Sequence, residues 1–175
     1  MGEMTNFVDF ARPFIEASKN VFETMVFTKL DPGKPQVKAN SVSKGDVSAV
    51  LGLSGEVEKN GQKIPYKAML VLSWPYDTYL KIASAMLMDT FNEYNDEIAD
   101  VGGEICNMIM GNAKRDLGTI GYTSNMAIPS MIEGPGHNIK YPSKTVVVLI
   151  PMNSAHGTFF MELCYKEGNR SRSKG

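Results

Sequence analysis

Asp100, Glu104 and Asn107 stand four and three residues apart, within a segment from Asn95 to Ile120 whose apolar residues recur at helical spacing. Each helical residue advances about 100°, so residues three or four apart become surface neighbours. With Glu104 set at zero, Ile98, Val101, Ile105, Ile109, Ala113 and Ile120 fall within roughly 60° to 180°. That arc predicts the buried face. Glu97, Asp100, Glu104, Asn107 and Gly111 fall within about −60° to +20°, a narrow polar stripe. Its chemistry is odd for a merely solvated face. Like charges at i and i+4 repel by about 0.2–0.5 kcal/mol. Glycine inside a helix costs about 1 kcal/mol relative to alanine, yet a bare Gly111 would let another backbone come close. Lys114 borders the stripe, within reach of a neighbouring carboxylate. The plainer alternative is a solvated helix face.

The elements that must position this stripe are legible in outline. Thr5 to Val26 reads as a first helix, with Phe7, Phe10, Phe14, Ile15, Val21, Phe22 and Met25 near helical spacing and Pro13 as a point of kinking or restart. Asp31-Pro32-Gly33 reads as a turn. Ser48–Leu53 and Tyr66–Ser73 read as strands, with Asn60-Gly61 between them as a hairpin signal. Pro75 suits the first turn of a second helix, carried by Leu80, Ile82, Ala83, Ala85, Met86, Leu87 and Met88. The long helix follows, closed by Gly121. Three further strands are expected at Ser124–Ile132, Lys144–Ile150 and Thr158–Tyr165, with a mobile turn at Gly134-Pro135-Gly136. Strands and helices are segregated rather than alternating. The fold class is therefore α+β, a largely antiparallel sheet with helices packed on one face. One domain is expected over residues 1–165, followed by a polar, basic tail over 166–175 expected to be disordered.

Composition removes several function classes. Eighteen basic against nineteen acidic residues leave a net charge of −1, with no bulk positive field for nucleic acid or an anionic membrane. A membrane-spanning helix needs about 20 apolar residues, and the longest apolar run, Val146 to Ile150, is far shorter. Met1 to Thr5 lacks the basic start of a signal peptide. Cys106 and Cys164 are too few for a disulfide framework. A soluble intracellular protein, placed in the cytoplasm, is the expectation. No Cys-His spacing suggests a metal site, and no metal is expected in the chain. Gly134-Pro135-Gly136 lacks the Lys-Ser/Thr of a phosphate loop, and no Gly-x-Ser-x-Gly elbow occurs. His137 and His156 lie near turn residues and read as structural or exposed. Cys106 falls about 200° from Glu104, toward the core.

The segment Asp100-Val101-Gly102-Gly103-Glu104-Ile105-Cys106-Asn107, continuing to Gly111-Asn112-Ala113-Lys114, resembles the CheX family, bacterial chemotaxis phosphatases of the CheC/FliY/CheX group. The shared pattern is Asp-x-x-x-Glu-x-x-Asn followed by Gly-Asn-Ala-Lys. Pro13 to Ala17, Val21 to Met25, Gly45 to Ser48, Leu51 to Gly55, Ala83 to Leu87 and Gly134 to His137 fit as well, so the likeness runs to about Tyr165. Gly102-Gly103 weakens the helix just before Glu104, and reads either as close packing or as blurred geometry of the pair.

The resemblance implies a CheX-like domain that hydrolyses the aspartyl phosphate of a phosphorylated CheY-like response regulator. Glu104 and Asn107 occupy the catalytic positions, and Asp100 and Gly111 are partner-binding candidates. An acyl phosphate is already activated, and phosphoryl transfer needs mostly positioning and charge neutralisation. The Asn107 amide then suits an attacking water, and the Glu104 carboxylate suits a cation of the partner that fixes docking. No cofactor is expected in this chain: Mg2+ would be supplied by the regulator. The resemblance also implies a homodimer, supported by the apolar strand from Thr145 to Ile150, which as an exposed edge would need cover. The alternative is a non-catalytic dimeric binding module for a signalling partner.

Overall fold

The computed structural model describes residues 2–168. Helix α1 (Gly2–Val21) contains Pro13 and runs on into a π-helical turn, Phe22–Val26. It ends where Phe27 takes a left-handed φ of 60°. Phe10, Phe14, Val21 and Phe22 bury the stripe that the sequence predicts. Helix α2 (Tyr76–Leu87) starts directly after Pro75, and its first amide, Tyr76 N–H, donates to Asp46 Oδ2 at 2.9 Å. Helix α3 (Val101–Thr119) lies against α1.

The strands are β1 (Asp31–Pro32), β2 (Gln36–Val37), β3 (Val47–Lys59), β4 (Gln62–Trp74), β5 (Tyr122–Met126), β6 (Ser130–Glu133), β7 (Val147–Ser154) and β8 (Gly157–Glu167). They form one antiparallel sheet of order β1-β7-β8-β4-β3-β5, with β2 beside β7 and β6 beside β3. This is the expected α+β architecture. Asn60 and Gly61, both with positive φ (52° and 77°), turn the β3–β4 hairpin between Lys59 and Gln62. Alternation along the strands sends Leu51, Leu70, Leu72, Phe159 and Leu163 to the helices, where they join Phe10, Phe14, Ile82, Ile105 and Ile109 in the main core. The opposite face holds a smaller cluster of Met69, Val71, Ile139, Val147 and Cys164, roofed by non-helical chain rather than helix.

Several boundaries differ from the sequence expectation. Asp31-Pro32 is not a free turn but pairs with Asn153 and Met152 of β7, and Gly33 N–H donates to Pro151 O at 2.7 Å. Gln36 and Val37 pair further along the same strand. Hence β7 is not the bare edge inferred from its apolar sequence: residues 31–38 cover it, and that argument for a dimer falls away. The strand expected at Ser124–Ile132 breaks at Pro129, which has no N–H to donate. Its halves, β5 and β6, pair with different parts of β3. β8 runs to Glu167, two residues into the expected tail, because Tyr66 and Lys67 of β4 pair with Glu167 and Lys166. Residues 169–175 of that tail lie outside the described residues.

Candidate active site

The helix carrying the polar stripe begins at Val101, not near Asn95. Residues before it form tight turns instead. Asn95 Oδ1 accepts Glu97 N–H at 2.9 Å, and Ile98 and Val101 donate to carbonyls three residues back, at 3.2 Å each. Asp100 is therefore the residue flanking the helix, with φ −93° and ψ 0°, and its side chain makes no capping bond. Its carbonyl accepts Glu104 N–H at 3.0 Å, the first rung of the ladder. Glu97 lies in the turn, so the helical stripe proper is Glu104, Asn107 and Gly111, with Lys114 beside it.

The rest of α3 explains why these side chains face outward. Val101, Gly102, Ile105, Cys106, Ile109, Met110, Ala113 and Leu117 are buried. Removing that stripe from water fixes the rotation of the helix, because apolar burial is worth about 25 cal/mol per Å². Glu104, Asn107, Gly111 and Lys114 are left exposed on the opposite side. Neither Glu104 nor Asn107 uses its side chain in a hydrogen bond or ion pair among the described residues, and Lys114 makes no ion pair there. The contrast with Asn112 is informative. Its amide donates to Met108 O at 2.9 Å and accepts from Asn20 of α1 at 3.0 Å. One asparagine of the helix is committed to structure and the other, Asn107, is not. A Cβ at Gly111 would meet nothing within 4 Å among the described residues outside its own helix turn, so the helix surface there is open.

Gly102 has a different reason. A Cβ at that position would lie 2.7 Å from the Trp74 ring and 2.9 Å from the Met131 methyl. The glycine lets the start of α3 rest on Trp74, so close packing accounts for Gly102, while a Cβ at Gly103 would come no nearer than 3.6 Å to Met131 Sδ. The Gly102 N–H donates to Tyr79 Oη at 2.8 Å, and Tyr79 Oη–H donates to Ile98 O at 2.7 Å. Tyr79 belongs to α2, and sequence reasoning passed over it. The available signal was Asp100 preceding a helix whose first turn holds two glycines, a start that calls for outside support.

The surroundings of the helix start are negative. Burial foremost, then Glu133, Asp100 and Asp96, push the Tyr94 phenol above its usual range. Burial is also the first cause for Tyr79, with Asp100 and Glu104 adding to it against the opposing bond from Gly102. Among the described residues no group of three or more His, Cys, Asp or Glu side chains could hold a metal ion. No helix there is long and apolar enough to cross a membrane. His137 is structural: Gly134 O can only accept, so Nδ1–H donates to it at 2.7 Å, and Nε2 accepts from Ser48 Oγ at 2.7 Å.

The family profile Chemotaxis phosphatase CheX matches residues 47–153. Among solved structures, a CheC-like superfamily protein from Shewanella sp. PV-4 is 33% identical, with a TM-score of 0.78 over 91% of this chain and 98% of that one. The chemotaxis protein CheX from Desulfovibrio desulfuricans is 36% identical, with a TM-score of 0.77 over 90% and 99%. The CheX of a CheX–CheY–BeF3–Mg2+ complex from Borrelia burgdorferi shares the fold at 23% identity and a TM-score of 0.69, over 91% and 98%. Among curated proteins, none matches the chain in sequence.

Proposed function

Because the chain belongs to the CheX family of chemotaxis phosphatases, we propose that it hydrolyses the aspartyl phosphate of a phosphorylated CheY-type response regulator. The observation that carries this reading is the pair Glu104 and Asn107, one helical turn apart, exposed, and without side-chain partners among the described residues. A carboxylate and a carboxamide left uncommitted on a rigid helix are available to a second molecule.

The division of labour follows from their chemistry. The phosphoryl group is negative and already activated by its acyl linkage, so no covalent nucleophile of this chain is needed. A carboxamide both donates and accepts, which suits Asn107 to hold a water in line with phosphorus. Glu104 would repel the phosphoryl oxygens and instead pairs with a cation on the regulator, fixing the docking register. Asp100, at the mouth of the helix, and Gly111, with its bare backbone, complete the docking surface. The metal is proposed to come with the regulator; the CheX–CheY complex from Borrelia burgdorferi, whose CheX shares the fold, contains BeF3 and Mg2+. Cys106 and Cys164 are both free and buried, in keeping with a cytoplasmic setting. A homodimer belongs to the proposal through the family. The test is sedimentation at micromolar protein, where monomer alone would remove it.

The decisive experiment measures phosphate release from an acyl-phosphorylated regulator with and without this protein. Acceleration that Asn107→Ala abolishes supports the reading. Tight binding with no acceleration makes the chain a binding module.

A further inference from the structure

We infer that Tyr79 is a positioning residue for this hydrolysis, its hydroxyl clamping the first turn of α3 so that Asn107 meets the phosphoryl group while Glu104 holds its cation on the regulator. The inference rests on the function proposed above and adds the device that holds the site in shape.

The first N–H groups of a helix have no partner within it, and a side chain of the flanking residue usually supplies one. Asp100 does not do so here. The service comes from another helix instead: Tyr79 Oη accepts the Gly102 N–H at 2.8 Å. The same oxygen carries a proton that goes to Ile98 O at 2.7 Å, with Ala99 O at 3.2 Å. One hydroxyl therefore staples the turn before the helix to the second residue of the helix. Two glycines, Gly102 and Gly103, occupy this first turn, where the backbone is least constrained by its own side chains. Glu104 follows at once and Asn107 one turn later.

Tyr79 is itself immobile. It is 1% exposed, and its ring meets Trp74 edge-on at 5.3 Å and Tyr94 at 5.8 Å. Trp74 in turn supports Gly102 directly. Burial keeps the phenol protonated, so it remains able to donate and accept at once. Without the hydroxyl, the ring would still fill its place but the start of α3 would be free to shift. Catalysis by positioning is sensitive to such a shift: a displacement of about 1 Å costs about 100-fold.

The test is Tyr79→Phe, compared with wild type and with Val71→Ala, a core variant on the far face of the sheet that loses stability without touching α3. Dephosphorylation is followed over a range of regulator concentrations to separate turnover at saturation from half-saturation. The expected result is a fall in saturated turnover of about tenfold or more for Tyr79→Phe, with half-saturation within about twofold. Val71→Ala keeps wild-type turnover. A Tyr79→Phe protein with wild-type saturated turnover overturns the inference and leaves the proposed function standing. A wild type that accelerates nothing overturns the function itself. Equal losses in both variants also overturn the inference, since general destabilisation would then account for them. Should Tyr79→Phe fail to fold, amide exchange in the wild type decides: the Gly102 amide is expected to be protected, and exchange at the rate of an open amide refutes the clamp.

Discussion

Lys38 Nζ lies 2.8 Å from Glu162 Oε2, with the two side chains only 2% and 0% exposed. The pair sits on the sheet face away from the helices, which Glu162 shares with Cys164, two residues on along β8. Tyr141 completes it: its hydroxyl donates to Glu162 Oε1 and accepts from Lys38 at 2.6 Å. Lys38 follows directly on β2, and its own N–H donates to Val147 O at 2.9 Å. The pair thus pins the 31–38 segment against the edge it covers.

Removing one partner of a buried pair strands the other charge. Glu162→Ala is expected to cost about 3–5 kcal/mol in urea unfolding. Replacing Lys38, Glu162 and Tyr141 together by Met, Leu and Phe removes the whole polar group and is expected to recover most of that loss. If the single and triple variants are equally unstable, the pair is not the source of the effect.

Alkaline pH supplies a second expectation. Burial pushes the Cys106 thiol up from 9.0 to about 12 and is the main cause that carries Cys164 up to about 11. Both groups are held protonated in the folded chain and ionise more readily when unfolded. Their contribution to stability is therefore whole below pH 9, and is lost as pH rises from there through about 11 and 12. Tyr79 and Tyr141, also raised chiefly by burial, act in the same direction. Urea midpoints are expected to fall between pH 8 and pH 10.5. At pH 8 neither cysteine should react with a thiol reagent until the protein is unfolded.

Gly102 and Gly111 share a helix and should respond oppositely to alanine. At Gly102 the added methyl collides with Trp74 and Met131, with an expected cost of about 1–3 kcal/mol. At Gly111 it meets nothing within 4 Å, and the gain in helix propensity is expected to stabilise the chain by up to about 1 kcal/mol. Gly111→Ala should nonetheless weaken regulator binding if a partner's backbone comes close there. Thermal unfolding and a binding titration on the two variants separate these effects. Unchanged affinity for Gly111→Ala removes that residue from the docking surface.

These residues also show where the sequence was readable. The buried arc of α3 and the Asn60-Gly61 hairpin follow from periodicity and turn chemistry, which act over a few residues. The outward placement of Glu104 and Asn107 follows from that same arc. The helix start did not, because Ile98 keeps the apolar phase of the helix while its backbone is already in a turn. Tyr79 was invisible for a related reason: its role lies in a hydroxyl that reaches Gly102, twenty-three residues away. Likewise the cover over β7 depends on Asp31-Pro32 meeting Asn153 and Met152, a long-range pairing that no local pattern encodes. Pro129 was in plain view and its missing donor foretold the break between β5 and β6, but the flanking β-rich run masked it.

The last expectation separates Glu104 from Asn107. If Asn107 holds the attacking water, its amide acts in the chemical step. Asn107→Ala should then slow saturated turnover by about 100-fold, as when one preorganised donor is lost, while affinity for the regulator stays near wild type. If Glu104 pairs with a cation of the regulator and the pair is desolvated on docking, Glu104→Ala should weaken binding by about 1–3 kcal/mol, which appears as a rise in half-saturation. Added salt should imitate part of the Glu104 effect, since salt screens the attraction of charges over about 8–10 Å as the partners approach, and little of the Asn107 effect. Both side chains are exposed and free of partners among the described residues, so each substitution should change stability by no more than about 0.5 kcal/mol. That near-neutrality makes the kinetics interpretable, because a lost rate cannot then be charged to unfolding. The measurement is phosphate release against regulator concentration at two ionic strengths for wild type and both variants. Full turnover in Asn107→Ala would sink the water-positioning mechanism. A salt-independent half-saturation, unchanged by Glu104→Ala, would remove the carboxylate from docking.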